Sequence, residues 1–355
     1  MSGAQWRTAL THDRLAQVLG AGKLPPDLLE GFLGGLPSSP RVVVGAQYGE
    51  DAAVVEVGGH YLIIALDPVT LSAAPGRIAV QINANDIAVM GAEPRWLLAA
   101  VLFPTGSTAG EARGVLDDLR QSCSELGIGL IGGHTEITPV VTQPVVAACM
   151  IGEVARERLV VSSGARAGDA LLLAGPIAVE GTGILCREYS EALRARGVPE
   201  DQIRSGARLL DRPGISVLAA TRAILSATLP HAMHDPTEGG LLSALREMVV
   251  ASDAGVRLDA DAIPIIPACR AVCDALELEP LGLLASGSLL AAVSQSEVQA
   301  AREALADAGI DSADIGRILP LSAGMVMVRK GVDAPLLEIA RDELARWVEQ
   351  QSADR

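Results

Sequence analysis

Four aspartates stand beside apolar runs, where a carboxylate is drawn out of bulk water. Asp51 lies in Gly49-Glu50-Asp51-Ala52-Ala53-Val54-Val55, and Asp67 ends the run Tyr61-Leu62-Ile63-Ile64-Ala65-Leu66 ahead of Pro68. Asp86 interrupts Asn83-Ala84-Asn85-Asp86-Ile87-Ala88-Val89-Met90, and Asp235 lies in His234-Asp235-Pro236-Thr237-Glu238-Gly239-Gly240. Desolvating a carboxylate is costly unless a cation or hydrogen-bond donors compensate. Several such groups converging would form a hard oxygen site suited to Mg²⁺ carrying a phosphate ligand.

Other segments carry weaker chemistry. The stretch Gly132-Gly133-His134-Thr135-Glu136 reads as a turn after the apolar run 128–131. Glycines in such a turn let backbone N–H groups approach a phosphate. His134 and Glu136 would add a ligand or a base, the alternative being a structural histidine in an ordinary turn. The Asp235 segment reads as the entry to a helix over 238–253, with Thr237 as its N-cap. Gly239 and Gly240 in its first turn cost roughly 1 kcal/mol each, which close approach of another group would explain. Gly175-Pro176 to Gly183 resembles a phosphate-cradling turn but matches neither a Walker A loop nor a Rossmann fingerprint. No Gly-x-Ser-x-Gly or His-Glu-x-x-His pattern supports a hydrolase or zinc enzyme.

These residues need elements to position them. The 355 residues suffice for two domains, and 49% of them are apolar, so a large core of Ala, Val, Leu and Ile is expected. Strands are expected over 41–44, 52–57, 61–66, 96–102, 128–131 and 144–154, with helices over 27–33, 76–90 and 108–126. Gly58-Gly59 marks a hairpin turn. On the second of these helices Ile82, Asp86 and Met90 share a face, as do Asn83 and Asp86. A polar, glycine-containing stretch at 155–168 divides the chain into domains 1–160 and 161–355. The second half restarts with a strand at 170–174 and ends in an amphipathic helix over 333–350. Irregular alternation with hairpin-like pairs favours α+β layers over a doubly wound sheet.

The net charge of −15 argues against a nucleic-acid surface while leaving room for a metal-bridged nucleotide. No run reaches the ~18 uncharged apolar residues of a membrane span, and no signal pattern opens the chain, so the cytoplasm is expected. The five scattered cysteines suggest no disulfide framework, and Cys269 and Cys273 read as buried inert thiols.

Five segments, in order, carry a resemblance. They are Gly49–Val55, Leu66-Asp67-Pro68-Val69-Thr70, Asn85–Pro94, Gly132–Glu136 and Asp235–Leu241. Together they resemble the PurM-like (AIR synthase-related) superfamily. Within it the hydrogenase maturation group HypE looks nearest, on His231–Leu241, Ile263-Pro264 and Leu281-Gly282. The resemblance implies an α+β fold: an N-terminal α/β domain whose strands pair across a homodimer into a barrel, and a C-terminal α+β domain. It implies ATP in a cleft between them, with Asp51, Asp67, Asp86 and Asp235 as Mg²⁺ ligands. Asn85, Gly132, Gly133, Thr135, Gly239 and Gly240 become the expected nucleotide contacts, and His134 and Glu136 the expected catalytic pair. The implied activity is ADP-forming phosphoryl transfer to an amide- or carboxylate-type oxygen, with maturation proteins as partners. Three features depart from the pattern. No cysteine follows Cys273, whereas HypE proteins typically end in one that carries a carbamoyl group; His134 stands where relatives often have Asp or Glu after Gly-Gly, though selenophosphate synthetases look similar there; and Ala285-Ser286-Gly287-Ser288 stands where HypE often has Asn-Glu-Gly. A selenophosphate synthetase is disfavoured because the N-terminal region has no reactive cysteine. The alternatives are a non-catalytic nucleotide-binding assembly partner and a small-molecule kinase like thiamine-monophosphate kinase. The latter is disfavoured by Asp-Pro-Thr-Glu-Gly-Gly in place of Asp-Ile-Ser-Asp-Gly-Leu.

Overall fold

The computed structural model describes residues 16, 18–20, 22–70, 72 and 74–353. In its first half, six strands form one sheet: β1 (Val42–Val44), β2 (Ala53–Val57), β3 (His60–Val69), β4 (Glu93–Pro104), β5 (Gly129–Thr138) and β6 (Val145–Val154). Their order is β1-β2-β3-β6-β4-β5. All pairings are antiparallel except β4 with β5, which are joined by a crossover helix as a parallel pair requires. Along β6 burial alternates strictly, the signature of a sheet packed on one face. That face carries α2 (Pro75–Val89) and α3 (Ala109–Leu126), which follow the short α1 (Pro26–Leu33). The α3 helix begins with a Thr108/Glu111 capping box and ends at Gly127 in the left-handed region. The opposite face is open and shows Leu66 and Leu98 to solvent.

The second half holds seven strands in the order β13-β12-β9-β11-β7-β10-β8. They are β7 (Ala170–Ala174), β8 (Ala232–His234), β9 (Ala254–Asp259), β10 (Leu289–Val293), β11 (Ser312–Pro320), β12 (Met325–Arg329) and β13 (Val332–Pro335). The helices here are α4 (Val179–Glu188), α5 (Ser190–Ala195), α6 (Glu200–Ala207), α7 (Leu218–Ala227), α8 (Gly240–Ala251), α9 (Pro267–Leu276), α10 (Val298–Asp307) and α11 (Glu343–Ala353). One continuous core of mostly aliphatic side chains runs through both halves, from Ala52 to Trp347. None of the described helices is long and apolar enough to cross a membrane.

Helix α2 is buried on nearly every side, because the first sheet covers one face and α7 meets another. That double covering is why an apolar helix can place Asn83, Asn85 and Asp86 out of water.

The structure corrects several sequence expectations. Gly132–Glu136 is not a turn: β5 continues to Thr138, with a bulge against β4 between Leu97 and Leu98. A Cβ on Gly133 would lie 2.0 Å from the Ala99 carbonyl oxygen, so glycine serves close strand pairing there. Asp67 lies within β3 and not at its end, paired with Ala148. Pro68 is tolerated because β2 no longer pairs beyond Ile64, leaving the strand a single neighbour. The expected helix over 333–350 starts late. Lys330 and Gly331 take positive φ, 53° and 71°, and turn the chain into the hairpin strand β13 before α11 begins. Helix α8 begins at Gly240 with Gly239 at its cap, so Thr237 does not cap it.

Candidate metal and nucleotide site

Each expected aspartate is set by a different local device. Asp67 is held by α2: Asn83 Oδ1 accepts the Asp67 N–H at 2.9 Å, and Asn83 Nδ2 donates to the Asp67 carbonyl at 3.2 Å. The same amide donates to Ala79 O at 2.9 Å, so Asn83 is fully used in fixing helix to strand. One helical turn on, Asp86 is buried on the same side. Between them Asn85 faces the second half. Its Nδ2 donates to Ile215 O at 2.8 Å and its Oδ1 accepts Val217 N–H at 2.9 Å. Asn85 was expected near phosphates; here its amide joins the two halves.

Asp51 comes from the loop before β2. Ser162, from the connection between the halves, donates its hydroxyl to Asp51 Oδ2 at 2.8 Å. The backbone N–H groups of Ser162 and Ser163 hold Glu50, each at 3.0 Å. The same loop rests on α8: a Cβ on Gly49 would lie 2.5 Å from Glu247 O.

Asp235 follows β8 directly. It is 1% exposed, and neither carboxylate oxygen has a hydrogen-bond partner. Its neighbour His234 lies between two acids. Nδ1 is 2.6 Å from Asp51 Oδ1, a charge contact off the hydrogen-bonding direction, and Nε2 is 3.0 Å from Glu247 Oε2. Ligand atoms of Asp51, His234 and Asp235 all lie within 4.8 Å of one another.

Electrostatics mark the cluster as under strain. Burial, with the neighbouring Asp235, Asp67 and Asp51, holds the Asp86 carboxyl well above its ordinary range. Asp235 is raised likewise, by burial and then by Asp51, and Asp67 is raised by burial despite Lys23 nearby. Two cations answer them. Burial opposes charge on His234, but Asp51 and Glu247 outweigh it and keep the imidazole protonated well above its usual range. Lys23 puts its ammonium 3.6 Å from Glu247 while about half of its side chain remains exposed. Burial of the head works against it, yet Glu247, Asp67, Glu238 and Asp51 raise it. Glu247 would rise on burial, but Lys23 and His234 pull it down to about 2.

A divalent cation fits this arrangement. Hard carboxylate oxygens converge, and no side chain donates to the buried oxygens of Asp235. Not every expected residue joins it. His134 and Glu136 lie on the exposed edge strand β5, 3.6 Å from each other. With Gly132, Gly133 and Thr135 they stand three strands from Asp67, about 14 Å across the sheet. Gly239 and Gly240 adjoin Asp235, but their N–H groups go to Asp342 Oδ2 at 2.7 Å and Thr237 O at 3.0 Å. The close approach expected there is present: a Cβ on Gly240 would lie 2.5 Å from Leu281 O. The sequence reading assigned no role to Lys23, Ser162, His234 or Glu247, and marked Asn83 only as a polar residue beside Asp86 on an apolar helix. Lys23 stands out in sequence as one of two lysines, and Glu247 as an acid on an apolar helix face.

Two α+β layers meet at a buried cluster of carboxylates. The first half matches the AIR synthase related protein, N-terminal domain, over residues 49–154, and the second half matches its C-terminal domain over 166–329. The chain belongs to the AIR synthase-related family. It is 31% identical over 347 residues to a selenide, water dikinase of Nitratidesulfovibrio vulgaris, covering 86% of this chain and 94% of that one. It is 26% identical over 293 residues to the carbamoyl dehydratase HypE of Cupriavidus necator, covering 80% of each. Its fold matches a crystal structure of the hydrogenase maturation protein HypE in complex with ATP. The TM-score is 0.70 at 23% identity, over 83% of this chain and 90% of that chain.

Proposed function

We propose that this chain is an ATP- and Mg²⁺-dependent enzyme. It passes a phosphoryl group to an amide- or carboxylate-type oxygen, in the maturation of a hydrogenase or similar metal centre. The observation that carries the reading is the buried, unpartnered carboxylate of Asp235 facing acids from the other half of the chain. A buried carboxylate raised by burial and neighbouring acids marks a candidate functional site. Asp51, Asp67, Asp86 and Asp235 would hold Mg²⁺, which neutralises phosphate charge when bound. The protein's own part is positioning: Asn83 fixes Asp67, Ser162 fixes one oxygen of Asp51, and Asn85 locks the two halves that form the cleft. Lys23 brings a positive charge to the rim.

The domain division at residue 160 belongs to this reading, as does a homodimer. Leu66 and Leu98 on the open sheet face, with Ile131 and Ile137 on the β5 edge, are exposed apolar groups that a second copy would cover. His134 and Glu136 sit on that edge, so any part they take in the reaction depends on the assembly. The HypE and selenide, water dikinase relatives support an ATP-using enzyme.

Calorimetric titration with ATP, with and without Mg²⁺, tests the reading, together with ADP release in the presence of candidate amides. Asp86→Asn should lose Mg²⁺-dependent ATP binding while its circular dichroism stays that of the wild type. Unchanged affinity in that variant, or a wild type that binds no ATP, refutes the assignment.

A further inference from the structure

Asp67 is held through its backbone by Asn83 and the Asp235 oxygens have no partner, but the carboxylate of Asp51 is gripped by residues from across the molecule. One oxygen accepts from Ser162 and the other faces His234 Nδ1. Behind His234 stands Glu247, 3.0 Å from Nε2, and behind Glu247 the Lys23 ammonium. His234 is 4% exposed and Glu247 9%, so solvent does not compete for these contacts. Glu247 is carried by α8, whose entry is fixed by Gly240 packed against the backbone of residues 281–283. The imidazole is therefore wedged between a rigid helix and the cation-facing carboxylate. Groups one layer behind a metal ligand set its orientation and basicity.

We propose that His234 is a positioning residue, which, anchored by Glu247, fixes the Asp51 carboxylate in the orientation that takes a divalent cation together with Asp235. The inference rests on the metal-site reading above and adds to it a dependence of cation affinity on Glu247, a residue that need not touch the ion. Mn²⁺ serves as the probe, its binding to nucleotide-free protein followed by electron paramagnetic resonance and calorimetry. His234→Ala should weaken Mn²⁺ binding by about tenfold or more, the usual effect of losing a group behind a metal ligand. His234→Asn keeps a polar group but not the positive charge that faces Asp51, and should recover little of that loss. Glu247→Leu should weaken binding in the His234 background and have little further effect when combined with His234→Ala. Equal losses in both backgrounds would mean that Glu247 acts on the ion without the histidine, which overturns the proposal. Full Mn²⁺ affinity in folded His234→Asn and Glu247→Leu overturns it while leaving the site assignment standing. A wild type that takes up no Mn²⁺ overturns both.

Discussion

Replacing Glu180 with glutamine removes a carboxyl that the fold buries beside other acids. Glu180 lies in the first turn of α4 and is 6% exposed. The Gly181 N–H donates to Leu284 O at 2.9 Å, which draws this turn against the loop bearing Ser286. Burial raises the Glu180 carboxyl from 4.5 to about 7, the Ser286 hydroxyl works against this, and Asp342 and Glu238 add to it. Because the folded value lies above the unfolded one, folding favours the protonated form. Glu180 is therefore harmless below pH 4.5, destabilises progressively as pH rises toward 7, and has a constant effect above that. Each unit is worth about 1.4 kcal/mol, so linkage gives a loss of ~0.2 kcal/mol at pH 4 and ~3 kcal/mol at pH 8. Glutamine cannot ionise and escapes this loss. The assay is urea unfolding of wild type and Glu180→Gln from pH 4 to 8.5. Any fixed offset from changed hydrogen bonding is the same at every pH, so the informative quantity is the widening gap. Parallel stability curves across that range would refute the placement of Glu180 in an acidic, dry environment.

Three further outcomes are expected. Asp235→Asn removes a charge from a mutually repelling cluster, so metal-free protein should melt higher than wild type while Mn²⁺ binding is lost; a lower melting temperature would contradict the electrostatic picture. Asn85→Ala strands the Val217 N–H and Ile215 O and should destabilise by about 1–3 kcal/mol in chemical denaturation, whereas a near-neutral effect would show the clamp between the halves to be slack. Ile137→Glu places a charge on the exposed β5 edge; light scattering after gel filtration should show a wild-type dimer and a monomeric variant, and a monomeric wild type would remove the dimer from the proposed function.

The aspartates were legible because their signal is local: a carboxylate next to an aliphatic run is visible in a short window. Elements with strong local periodicity were legible for the same reason. The helix expected over 108–126 is observed as Ala109–Leu126, and Gly58-Gly59 turns β2 into β3. What failed depended on distant partners. Thr237 has the chemistry of an N-cap, yet Gly240 packed on Leu281 sets where α8 starts. Gly132-Gly133 looks like a turn because glycine permits one, and only the neighbouring strand shows that the glycine serves close pairing. Ser162 carries no local signal, since its partner is 111 residues away in sequence; Glu247 shows as an acid on an apolar helix, but its partner His234 does not. Asn83 and Asn85 were visible as anomalies on an apolar helix, but the direction each faces follows from which surface packs on α2.

The cluster is an electrostatic conflict that the remainder of the chain must hold in place. Burial raises Asp67, Asp86 and Asp235 together, and His234 and Lys23 offset only part of the repulsion. Two of these acids arrive on the first sheet and its helix, and the third on a strand end of the second half. The aliphatic core shared by the two halves is what forces them together. Stability is thus spent in making a site whose remaining conflict a cation can relieve. By linkage, any ligand that binds the folded state alone returns about 1.4 kcal/mol for each tenfold excess over its dissociation constant. The halves are locked by Asn85 and the Glu50–Ser162 contacts, which do not involve the acids' own charges. The scaffold can therefore stay closed without the ion, and the free energy of ion binding goes to the site instead of to domain closure.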